Sequence, residues 1–163
     1  MNTQQIECIL RTDRYVGPIF RGVYPLDKIV PFDIGACVMN TSPSTEISGH
    51  WVAIYATKNE IEFFDSYGSD PPTKLKKIWQ NKTWSSNPIM LQSPLSSVCG
   101  QYCLYYLLYR ARNYSMASIL MDFDTDVDYN DEFVHEFMEN RFDIDTKLID
   151  TEGIITQLAR ARI

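Results

Sequence analysis

Apolar positions recur along this chain at several different spacings, and each spacing predicts its own element. Near the start, Ile6, Ile9 and Leu10 follow the three- and four-residue steps of an amphipathic helix. Thr3 stands where a cap is expected, and Gly17-Pro18 closes the segment. The stretch YVGPIFRGVYPLDKI, Tyr15 to Ile29, is interrupted by turn residues and reads as irregular. Three segments then carry the β-branched and aromatic residues of strands: DIGACVMN (Asp33 to Asn40), HWVAIYAT (His50 to Thr57) and EIEFFDSY (Glu60 to Tyr67). Lys58-Asn59 separates the last two, which predicts a hairpin. Pro71-Pro72 breaks the pattern, and Thr73 opens a predicted helix to about Asn81 with Leu75, Ile78 and Trp79 on one face.

NPIMLQ, Asn87 to Gln92, reads as a short apolar strand. Cys99 to Arg112 is apolar nearly all round until Arg110, the pattern of a buried central helix. Farther on, Phe133, Val134, Phe137 and Met138 recur at helical spacing in DEFVHEFMENRF, and GIITQLARARI (Gly153 to Ile163) is a further amphipathic candidate. Helix, strands, helix, strand and helices in that order predict an α+β fold. The 163 residues suit a single domain spanning 1–163.

Composition narrows the classes. No apolar run approaches the roughly 18 residues of a membrane-spanning helix. The segment MNTQQIECIL lacks the basic and long apolar regions of a signal peptide, so the chain is not expected to be secreted or to engage a membrane. The four cysteines, at 8, 37, 99 and 103, are therefore expected as reduced thiols. A net charge of −6 argues against a protein built mainly to hold nucleic acid. Local basic stretches, Lys74 to Lys82 and Ala159 to Arg162, keep nucleic acid open as a secondary partner.

The chemistry gathers around four residues. Cys99 stands where the loop after Pro94 meets the helix, and helix N-terminal amides favour a thiolate there. Gly100 beside it leaves room for a substrate. A small buried residue at a helix start is the plain structural alternative. Of the two histidines, His135 falls on the polar side of its helix, whereas His50 opens a strand after a polar loop and can be reached from a cleft. The hairpin returns Asp65 to the same sheet edge as His50, where a carboxylate can orient an imidazole. Aspartate is also common in turns such as DSYGSDPP. Gln92, seven residues before Cys99, could give a side-chain N–H to an oxyanion, or could simply be a polar strand end.

Taken in order, GHWVAIY, FFDSYG and LQSPLSSVCGQYC resemble the His, Asp/Glu, Gln, Cys-Gly sequence of the adenovirus protease (adenain) family. The wider clan of that family holds the SUMO and ubiquitin-like proteases. The likeness extends over about residues 6 to 110. It implies a papain-related fold, a central mixed sheet packed against a buried helix that carries the nucleophile. It implies Cys99 as nucleophile, His50 as general base, Asp65 as its orienting acid, and Gln92 with the Cys99 N–H as oxyanion hole. Trp51 is expected to pack near His50, and Cys103 to sit in the core.

The activity implied is that of a cysteine endopeptidase cleaving viral capsid or core precursors at glycine-containing sites during virion maturation. It would work in the host nucleus or cytoplasm and in the virion, with polypeptide substrates and no cofactor. The chain departs from the family where an activating peptide is disulfide-linked, since Asn81 stands there. An activating peptide would have to bind without a disulfide, and the acidic charge argues against DNA as activator. Two alternatives share the same residues, a deconjugating protease for SUMO or ubiquitin-like modifiers and a non-catalytic binding protein. Preferential, His50-dependent labelling of Cys99 by an electrophile would separate the enzymes from the binder.

Overall fold

The sheet is built from three antiparallel strands flanked on each side by a parallel neighbour. In the computed structural model, which describes residues 1–46 and 48–142, five strands stand in sequential order: β1 (Phe20–Pro25), β2 (Gly35–Asn40), β3 (Trp51–Ala56), β4 (Glu60–Phe64) and β5 (Thr83–Ser86). β2–β3 and β3–β4 are antiparallel, whereas β1–β2 and β4–β5 are parallel. The helices are α1 (Thr3–Thr12), α2 (Thr73–Ile78), α3 (Cys99–Arg110), α4 (Met116–Leu120) and α5 (Val127–Phe142), with a 3₁₀ turn at Gly17–Ile19. The architecture is α+β with a mixed sheet, as the sequence predicts. GIITQLARARI lies outside the described residues.

The period-two alternation of the strands sorts their side chains into two cores. Ala36, Val38, Ala53 and Phe64 face α1, α3 and α5 and pack against Ile6, Ile9, Leu10, Tyr102, Tyr106, Val134 and Met138. Cys37, Met39, Val52, Ile54, Ile61 and Phe63 face the other way, onto Ile29, Leu75 and Trp79. The central helix is α3, and every residue from Cys99 to Leu108 is buried. Tyrosines can lie this deep because their hydroxyls find partners: Tyr102 donates to Leu91 O at 2.9 Å and Tyr106 donates to Glu62.

Several elements depart from expectation. The cap of α1 is Asn2, whose side chain accepts from Gln5 N–H while Gln5 reaches back to the Asn2 N–H, so Thr3 is already inside the helix. The stretch expected to be irregular contains β1. Its register shifts between Phe20 and Gly22, where Gly22 adopts φ +129°, and that bulge hides the strand pattern. α2 ends at Ile78 rather than near Asn81, because the Trp79 indole N–H donates to Phe32 O at 2.9 Å and the chain turns there. NPIMLQ is not a strand; the N–H groups of Leu91 and Gln92 both donate to Ser66 O, at 2.8 and 3.1 Å. The strand in that region is the more polar TWSS, paired with β4.

Candidate active site

Two strands and a helix start bring three of the expected residues together. His50 directly precedes β3, held by its carbonyl accepting from Thr41 N–H at 2.8 Å and its N–H donating to Thr41 Oγ1 at 3.2 Å. Asp65 follows the last residue of β4, one step past the strand. Across the hairpin, His50 Nε2 lies 2.6 Å from Asp65 Oδ1. That leaves Nδ1 for another partner, and the His50 ring and the Cys99 thiol lie close enough to shift each other's pKa. Cys99 is the first residue of α3; no side chain caps this helix, and the Gln101 and Tyr102 N–H groups turn back to Val98 O. The sulfur therefore sits at the positive pole of the helix dipole.

The electrostatics follow from this geometry. Burial opposes charge on the His50 ring, but hydrogen bonds and charge from Asp65 and Cys99 win and raise its pKa to about 9. Burial likewise opposes the Cys99 thiolate, and the His50 hydrogen bond together with the Trp51 backbone N–H lowers its pKa below the ordinary thiol value. Asp65 resists burial through His50, the Tyr67 N–H and the Ser69 side chain, which hold its pKa down. Each of the three shifts favours the charged form of its group, thiolate, imidazolium and carboxylate. Burial raises the pKa of Cys8 and Cys37, and raises that of Cys103 well above the ordinary value. Cys99 is the cysteine of the four with its pKa lowered.

Gln92 is fully buried in the segment leading to Cys99. Its Oε1 accepts from Ser66 Oγ at 2.6 Å, and its Nε2 contacts Ser96 O at 3.2 Å and Ser96 Oγ at 3.0 Å. The amide N–H groups are thus on Ser96 in this state. Trp51 packs beside the helix start, and Gly100 does not open space for a substrate as expected. A Cβ there would meet Met1 Cβ at 3.2 Å, Ile6 Cδ1 at 3.5 Å and Trp51 Cδ1 at 3.6 Å, so the missing side chain lets α1 and Trp51 close on α3. Cys103 is in the core at 1% exposure. His135 lies apart on α5 and pairs with Glu139 at 3.1 Å.

Three supporting residues escaped the sequence reading. Asn87, fully buried, clasps the Asp65 backbone, accepting its N–H at 2.8 Å and donating to its carbonyl at 2.7 Å. Tyr67 stacks on the His50 ring with centroids 4.6 Å apart. Ser66 holds Gln92. The only sequence signal was the aromatic within DSYG. Gly68 ends that turn at φ +69°, with its N–H on Asp65 O at 2.7 Å, and a Cβ there would strike the Ile89 carbonyl at 2.6 Å. Among the described residues no cluster of three or more His, Cys, Asp or Glu could hold a metal ion. A cleft of about 520 Å³ adjoins Trp51, lined in part by Met1, Tyr24, Asn40 and Ser42.

No family model matches the chain. The SUMO-1 cysteine protease of a warthog isolate of African swine fever virus is 33% identical over 123 residues, which cover 64% of this chain and 45% of that protein. The cysteine protease of the Vero-adapted Badajoz strain gives the same values, 33% over 123 residues, 64% and 45%. The chain thus spans less than half the length of the curated relatives it matches. A crystal structure of the African swine fever virus pS273R protease superposes with a TM-score of 0.58 at 20% identity, covering 82% of this chain and 66% of that one. The sequence match is thus to viral cysteine proteases, and the structural match shows a shared fold.

Proposed function

We propose that this chain is a cysteine endopeptidase with a Cys99–His50–Asp65 triad. The observation that carries the reading is the 2.6 Å contact of His50 Nε2 with Asp65 Oδ1, beside a Cys99, at the start of a buried helix, whose pKa His50 lowers. The Cys99 thiolate attacks the scissile carbonyl carbon, and the carbonyl π electrons move to oxygen. The Gln92 amide and the Cys99 backbone N–H receive that oxyanion, the oxygen taking the place at Gln92 Nε2 that the Ser96 hydroxyl now fills. The His50 imidazolium then protonates the departing amine, leaving a thioester on Cys99. His50, now neutral, takes a proton from water as the water attacks the thioester, and keeps it as the acid product leaves the sulfur, so the thiolate–imidazolium pair is restored. Asp65 keeps Nε2 protonated and the ring aligned throughout.

The substrates we infer are viral precursor proteins, cleaved at glycine-containing sites during virion maturation in the host cell or the particle. The relatives' viral origin and the adenain-like motif order support this. The reaction as drawn uses no cofactor. A relative named as a SUMO-1 protease favours one second reading, release of a ubiquitin-like modifier by the same residues. Purified chain offered a panel of glycine-containing precursor peptides and modifier–reporter fusions separates the two. Cleavage of peptides alone supports the first, and cleavage of fusions alone supports the second. If Cys99→Ala cleaves either as fast as wild type, or wild type cleaves neither, the triad reading falls.

A further inference from the structure

A primary amide can sit in either of two orientations related by a half-turn, and only one presents N–H to an oxyanion. We propose that Ser66 is the positioning residue that fixes this choice at Gln92. The dipeptide Asp65–Ser66 then aligns both the imidazole and the oxyanion donor. This rests on the peptidase reading above.

Ser66 is 1% exposed and Gln92 is fully buried, so neither can exchange its partners for bulk water. The Ser66 hydroxyl donates to Gln92 Oε1 at 2.6 Å, and on the other side Gln92 Nε2 meets two oxygens of Ser96, at 3.2 and 3.0 Å. The Ser96 hydroxyl donates onward to Ser93 O at 3.1 Å. It is therefore already committed as a donor and receives the Gln92 N–H. Turning the amide over would set Oε1 against the Ser96 carbonyl, two acceptors with no proton between them. It would also take from the Ser66 hydroxyl its acceptor. The orientation is thus fixed from both sides, and the donor on the Oε1 side is Ser66.

The main chain makes the same link. Ser66 O accepts the N–H groups of both Leu91 and Gln92, at 2.8 and 3.1 Å. Gln92 is held by Ser66 through backbone and side chain together. Asp65, next in the chain, is pinned by Asn87 at 2.8 and 2.7 Å and carries His50 at 2.6 Å. The acid that orients the base and the hydroxyl that orients the amide are adjacent residues on one immobilised turn.

The test is a double-mutant cycle on the full chain with a cleavable peptide reporter. Ser66→Ala should lower kcat about tenfold, the scale of one orienting hydrogen bond, with KM within about twofold. In a Gln92→Ala background the same change should cost nothing further. Alkylation of Cys99 by iodoacetamide, followed against pH, should match wild type in Ser66→Ala, because it uses the thiolate and needs no oxyanion donor. A wild-type kcat in Ser66→Ala would overturn the proposal. So would an equal loss in the Gln92→Ala background, or an alkylation profile shifted by the substitution, which would assign the loss to the triad. Where alanine fails to fold, Ser66→Gly is read in the same cycle. A wild-type chain that cleaves nothing removes the peptidase reading and this inference with it; an active wild type indifferent to Ser66 removes the inference alone.

Discussion

The two ends of α3 are made from similar materials and put them to opposite uses. At the C-terminal end, Glu62 of β4 accepts from Arg110 Nε at 2.7 Å and Nη2 at 3.1 Å and from the Tyr106 hydroxyl, while Arg110 lies over the Tyr55 ring at 4.5 Å. At the N-terminal end, Asp65, three residues farther along the same chain segment, pairs with His50 beside Cys99. Each end has a buried carboxylate, a cation and a third polar group; the Arg110 cation suits the C-terminal pole and the Asp65 carboxylate the N-terminal one. The difference is the third partner. Tyr106 is a phenol whose pKa burial and Glu62 push far above any working pH, so that end is closed chemistry that ties helix to sheet. Cys99 is a thiol whose pKa the neighbouring His50 lowers, so under the proposed mechanism that end holds charge that can be moved.

The comparison predicts that substitutions at one end change rate and those at the other change stability. The largest effect is at the sulfur: Cys99→Ala should reduce peptide hydrolysis to background with an unchanged unfolding midpoint, measured by reporter cleavage and thermal melts. Glu62→Ala should destabilise by about 3 kcal/mol, because it strands the Arg110 cation and the Tyr106 hydroxyl, yet leave kcat per folded molecule unaltered. Denaturant titration beside active-site counting checks this, and a kcat loss without destabilisation would erase the distinction between the ends. Gln92→Ala should cost on the order of 10²–10³ in kcat while the fold persists.

The smallest effect is a shift along the pH axis. As pH falls through the lowered Cys99 value the thiolate takes up a proton, and as pH rises through about 9 His50 loses the proton it must donate. The profile of kcat/KM should therefore be a bell with its upper limb near pH 9. Asp65→Asn keeps an acceptor for His50 Nε2 but removes the charge, so the upper limb should move down in pH toward the ordinary histidine range. An unmoved limb would show that Asp65 does not act through its charge.

The parts of this design visible in the sequence are those encoded locally. The hairpin strands are rich in β-branched and aromatic residues, the central helix is apolar nearly all round, and Cys99, His50 and Asp65 sit at the ends of such elements. What was hidden depends on distant partners. β1 is obscured by the bulge at Gly22, and TWSS is a strand because β4 pairs with it, Ile61 opposite Trp84 and Phe63 opposite Ser86. NPIMLQ carries strand-like residues, but Ser66, 26 residues before Gln92, takes its N–H groups. Asn87, Ser66 and Tyr67 support the site through contacts that no local spacing reveals. The resemblance to adenain supplied an order of residues, and the hydrogen bonds supplied the reason those residues stay in place.

One feature of the sheet bears on how the molecule can be handled. The two links between parallel neighbours, β1 to β2 through Ile29 and β4 to β5 through Leu75 and Trp79, both pack on the face turned away from α3. Added chain length or an attached dye at the exposed lysines of α2, Lys74, Lys76 and Lys77, would therefore ride on the back of the protein. An immobilised or fluorescent version prepared this way should keep its front clear for whatever it cuts.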